Sequence, residues 1–196
     1  MTFLNKLDVF RKEVGYIKNS DYAKSCEKLI LLLPDYFFEI PASSTGKYHP
    51  NYALGDGGLV RHTKVVVKIA NELLYNNKII GGDFTDNEKD LIIVALILHD
   101  GLKSGINHNR YTLFEHPLLI SKFIKENKTS LNFTDSEIEL LTSIVEAHSG
   151  EWTTNNYSDV VLPKPITKYQ KMAHLCDFLA SRKFININFQ NNDIID

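Results

Sequence analysis

Cysteine is scarce, with two in a chain of 196 residues. Cys26 and Cys176 are too few for a disulfide framework. Cys176 falls in an apolar helical stretch, where a thiol reads as a small buried hydrophobe. Long apolar runs are also missing. The longest, Leu91 to Leu98, is far short of the ~20 residues that a membrane span needs. Met1 to Lys12 alternates apolar and charged residues, without an apolar signal core or a small-residue cleavage site. These features read as an unexported, cytoplasmic protein with no membrane partner. No sign of charge dominates: Lys+Arg 22 against Asp+Glu 24 leaves a net charge of -2. That balance argues against tight, non-specific nucleic-acid binding, which needs a strong basic footprint. Repeats, linkers and alternating strand patterns are absent. The composition, 43% hydrophobic and 23% charged, excludes disorder for the bulk of the chain. The length suits one domain.

What is present reads as helices joined by polar loops. Leu4, Leu7, Phe10, Val14 and Ile17 share one helical face, predicting a helix over Phe3 to Ile17. A second runs from Asp21 to Leu33, stopped by Pro34. Pro41 to Gly58 is irregular and rich in glycine and serine. Gly58 to Asn76 reads as a long helix, followed by a loop from Gly81 to Thr85. Thr85 to Glu88 fits a capping box opening an apolar helix that ends at Gly101. A helix over His116 to Asn127, a second capping box at Thr134 to Glu137 and a helix to about His148 follow. Thr167 to Lys183 is the last strong helix. The expected architecture is all-α: an N-terminal helical extension over 1–40, one helical bundle over 41–185 and a frayed tail over 186–196. The apolar faces of the N-terminal helices suit either a homo-oligomer contact or completion of the core.

Metal-type ligands recur near the ends of these helices. His62 is early in the long helix, His99-Asp100 closes the most apolar one, His116 opens the next, His148 closes another and Asp177 lies in the last. A polar His-Asp pair after eight apolar residues is costly to bury unless it is paired or metal-bound.

In order, His62, His99-Asp100 and Asp177 resemble the H…HD…D signature of the HD-domain phosphohydrolase superfamily. His116 and His148 resemble the two extra histidines of its dinuclear members. Gly57 to Thr63 is similar to the GGLxxHT segment, and His99 to Lys103 to the HDxxK segment. His148 to Glu151, Pro163 to Pro165 and His174 to Asp177 are similar to the HHGE, LPKTP and HxxD segments of the YhaM-type 3'→5' exoribonuclease branch. The resemblance runs from about Tyr48 to Lys183. Arg61, Ser149 and Ala180 depart from it, and about fifty helical residues stand where that branch carries an OB domain.

The resemblance implies an HD-domain bundle and a metal-dependent phosphohydrolase. Its ligands would be His62, His99, Asp100 and Asp177 for one divalent ion, and His116 and His148 for a second, with Asp100 bridging. Nitrogen and carboxylate donors suit Mn, Fe, Co, Ni or Zn. Such an ion lowers the pKa of water towards ~7 and supplies hydroxide for attack on phosphorus. Asp100 and Lys103 are the expected catalytic residues, with Lys103 also a phosphate contact. Arg61 is a candidate for the pocket rim and Arg110 for a second phosphate contact or a solvated loop residue. Tyr111 and Trp152 are candidates for stacking on a base. Glu115, Glu151 and His174 are candidates for orienting a ligand histidine. His49 and His108, in loops, read as solvated. The expected substrate is a small nucleotide or related phosphoester. The alternatives are a 3'→5' nuclease on single-stranded RNA or DNA and a non-catalytic nucleotide-binding regulatory module.

Overall fold

A computed structural model describes residues 3–195. Its helices are α1 (Phe3–Val9), α2 (Arg11–Val14), α3 (Ser20–Leu32), α4 (Gly58–Asn71), α5 (Lys78–Gly81), α6 (Asp86–Leu98), α7 (His116–Asn127), α8 (Asp135–Glu146) and α9 (Lys168–Ala180). The only sheet among the described residues is the hairpin β1 (Phe189–Gln190) and β2 (Asp193–Ile194). The fold is all-α, as the periodicity predicts. No described helix is long and apolar enough to cross a membrane.

The apolar run in α6 explains the architecture. Every residue from Leu91 to Leu98 is buried, so a helix that is apolar all round must sit at the centre. It packs against α3, α4, α8 and α9. Thr85 opens it with the expected capping box, and Thr134 and Thr167 open α8 and α9 in the same way. The N-terminal helices complete this core. Asp90, buried on α6, accepts the backbone N–H groups of Lys18 and Asn19 at 3.0 and 2.8 Å.

Three details differ from the sequence reading. The first helix breaks at Phe10, whose buried ring packs on Phe37 and Phe38. The long helix ends its α geometry at Asn71 and widens to a π turn over Glu72–Asn76. There the Asn77 side chain caps α5 by accepting from Ile79 and Ile80. The segment expected to fray instead forms the β1–β2 hairpin. Asn191 and Asn192 take positive φ at its two-residue turn, the geometry that matches strand twist and that asparagine tolerates. Phe189 packs on Tyr52, and Asn192 and Asp193 accept hydrogen bonds from Arg61 and Lys64 of α4.

Candidate metal centre

Six side chains, carried by α4, α7 and α9 and by the turns just after α6 and α8, converge at one end of the bundle. Two groups form: His62 with His99 and Asp177, and Asp100 with His116 and His148. Asp100 stands between them. Its Oδ2 lies 3.5 Å from His99 Nε2 and 3.9 Å from His62 Nε2. Its Oδ1 lies 3.0 Å from His116 Nε2 and 3.7 Å from His148 Nε2. Asp177 Oδ1 is 2.9 Å from His62 Nε2 and 3.8 Å from His99 Nε2. All except Asp177 are buried.

Helix ends supply the local order. The last carbonyls of a helix have no backbone donor. His99, directly after α6, donates Nδ1–H to Leu96 O at 2.6 Å. His148, two residues past α8, donates to Val145 O at 2.7 Å. His116, opening α7, donates to Leu113 O at 2.7 Å. In a neutral imidazole with hydrogen on Nδ1, Nε2 is a bare lone pair. His116 Nε2 and His148 Nε2 face each other at 3.2 Å. Two lone pairs at that distance repel unless a proton or a cation lies between them. His99 Nε2 is buried with no hydrogen-bond partner.

Electrostatics follow from burial and mutual proximity. Burial pushes His99 down to about 4, against the pull of Asp100 and Asp177. It lowers His116 too, whereas at His148 the Asp100 carboxylate outweighs burial and raises the ring. Burial works against ionising Asp100, but the Lys103 ammonium and His99 hold its carboxyl well below the ordinary range. Asp177 is lowered in the same sense by the His62 hydrogen bond. Bare buried nitrogens beside two ionised carboxylates are the donor set that a divalent transition metal takes. The residues therefore fit such an ion.

A cavity of about 550 Å³ opens onto this cluster. Lys103 lines it and forms an ion pair with Asp100. Trp152, 61% exposed, stands at its mouth. His174 lies behind the cluster, its Nδ1 donating to the His148 carbonyl at 2.9 Å.

Other candidates lie elsewhere. Arg61 does not line the cavity: its guanidinium donates to the carbonyls of Tyr52, Leu54 and Asp56 and to Asn192, tying the loop before α4 to the hairpin. Arg110 and Tyr111 are exposed and pack on each other outside the cavity lining. Glu151 is exposed and Glu115 half-buried, and no hydrogen bond joins either side chain to a histidine of the cluster. The exposed His108 stacks on Tyr36.

Sequence reasoning missed other lining residues. Ser43, Ser44, Thr45 and Tyr48 line the cavity from the irregular loop, and Arg182 from the turn after α9. Arg182 sits over Phe178, its Cζ 4.1 Å from the ring centroid. His49, read as solvated, is half-buried and packs edge-on against His62. Loop residues carry no periodicity. Proximity in the chain to Gly57 and His62, or to Asp177 in the case of Arg182, was the available signal.

Residues 59–181 match the HD domain family. The chain belongs to that family, and so to a superfamily of metal-dependent phosphohydrolases. Comparison with the curated proteins, and with the solved structures, finds no match.

Proposed function

We propose that the protein hydrolyses a phosphoester of a nucleotide or related small phosphorylated substrate. The observation that carries this reading is the pair of His/Asp groups joined through Asp100 at the floor of the cavity. His62, His99, Asp100 and Asp177 would hold one divalent ion, and His116, His148 and Asp100 a second. Bound there, such ions acidify water to supply the nucleophile and offset charge on the attacking and leaving oxygens.

The chain's own residues do the rest. Lys103 moves its ammonium from Asp100 onto a phosphate oxygen as a point charge. Arg182, held over Phe178, offers a second cation to an anionic group. The serines and threonine at 43–45 offer hydroxyls to a sugar, and Tyr48 and Trp152 offer ring faces to a base. A cavity of about 550 Å³ is within the range of small-molecule sites. That volume suits one nucleotide, which supports the small substrate over the exonuclease reading of the YhaM-type resemblance.

The test is a panel of nucleoside mono-, tri- and cyclic phosphates and labelled single strands, each with Mn²⁺, Co²⁺ and Ni²⁺. Turnover of a small nucleotide, abolished in Asp100→Asn with the fold intact by circular dichroism, is expected. Stepwise shortening of strands without nucleotide turnover would establish the nuclease instead. Nucleotide binding without turnover would leave a regulatory module.

A further inference from the structure

His99, His116 and His148 each have a carbonyl that fixes hydrogen on Nδ1. His62 does not. It sits inside α4, and no carbonyl of that helix accepts from its Nδ1. Its Nδ1 is buried with no hydrogen-bond partner. Its Nε2 lies 2.9 Å from Asp177 Oδ1, a hydrogen bond that needs hydrogen on Nε2. An imidazole ligates only through a bare nitrogen. To serve a cation through Nε2, His62 must give up that hydrogen and carry one on Nδ1, where a buried N–H needs an acceptor.

A complementary nitrogen lies beside it. His49 Nδ1 is also buried without a partner. The two rings stand edge to face, their centroids 4.9 Å apart. A neutral imidazole carries hydrogen on one nitrogen and a lone pair on the other, so His49 Nδ1 can serve as an acceptor. The two do not bond to each other here, because His62 Nδ1 is bare while its Nε2–H serves Asp177; with hydrogen on Nδ1, His62 has a donor and His49 an acceptor beside it.

We infer that His49 is a positioning residue: it accepts the Nδ1–H of His62 and so holds the tautomer in which His62 Nε2 ligates a divalent cation. This rests on the metal reading above. It extends the site beyond the matched residues 59–181 into the irregular loop.

The experiment titrates the metal-free full chain with Zn²⁺ against a chromophoric chelator. It compares the parent chain with His62→Ala, His49→Asn and His49→Phe. Asparagine keeps an acceptor close to the Nδ1 position but loses the ring; phenylalanine keeps the ring but loses the acceptor. Circular dichroism confirms the fold of each. The expected result is that His49→Phe weakens the binding step that His62→Ala removes by about 10-fold or more, the usual effect of losing a partner of a ligand histidine. His49→Asn should stay within about 3-fold of the parent. Parent-like binding by His49→Phe, or an equal loss in both variants, would overturn the inference and leave the metal centre standing. No binding by the parent chain would overturn the metal reading and this inference with it.

Discussion

Gly150 follows His148 by two residues and takes φ +68°. A Cβ there would lie 2.0 Å from Cε1 of His174, the ring that donates to the His148 carbonyl. Gly150→Ala therefore carries two costs. The left-handed backbone costs an L-residue roughly 1–2 kcal/mol. Overpacking against a held ring typically costs about 1–3 kcal/mol more. Gly55 is the control: it takes φ +67°, and its Cβ would meet nothing within 4 Å. Gly55→Ala pays only the backbone term, and the stiffer unfolded chain that alanine confers cancels between the two. Urea unfolding of the metal-free chains should place Gly150→Ala about 1–3 kcal/mol below Gly55→Ala. Zn²⁺ affinity should fall in Gly150→Ala alone, because His174 leaves the His148 carbonyl. Equal stability of the two variants, or unchanged affinity in Gly150→Ala, would refute this account of how His148 is held.

The remaining predictions concern pH, the cavity mouth and the hairpin. His99 has a folded pKa of about 4 against an ordinary 6.5, so its contribution is fully present above pH 6.5 and is lost as pH falls towards 4. About 3 kcal/mol rides on that window, and urea unfolding of the metal-free His99→Gln variant should lose correspondingly less stability across it than the parent. Trp152→Ala should raise KM roughly 5-fold with kcat little changed, the effect of losing about 1 kcal/mol of stacking; steady-state kinetics on the active nucleotide separates the two parameters. Asp193→Ala should lower stability by about 1 kcal/mol in urea unfolding, because the Asp193 side chain is largely exposed and Glu13 remains 3.7 Å from the buried Lys64.

The parts of this site that were legible in the sequence are those tied to helix ends. His99, His116 and His148 fall where amphipathic or apolar periodicity starts or stops; the free carbonyls that end α6 and α8 orient His99 and His148, and Leu113 O in the loop before α7 orients His116. The central place of α6 was legible because a helix without a polar face has nowhere else to go. His49, Tyr48 and Arg182 were not, because loops and turns position them through tertiary contacts that leave no periodic trace. Arg61 misled for a related reason: adjacency to His62 in sequence says nothing of direction, and on α4 the next residue points about 100° away, towards three carbonyls and Asn192. The hairpin was hidden by its asparagines, which read as a polar tail and serve as the turn.

The hairpin also bears on how the chain is made. Asp193 lies 129 residues after Lys64, and Asp177 lies 115 residues after His62. On a ribosome, α4 emerges long before Asp177 and Asp193, and of the carboxylates that face Lys64 only Glu13 has already been made. The nascent segment thus lacks its Asp193 ion pair and the Asp177 carboxylate beside His62 until translation has passed both aspartates. If the His62 group takes a cation as proposed, it does so late in the life of the polypeptide, once the chain has closed upon itself.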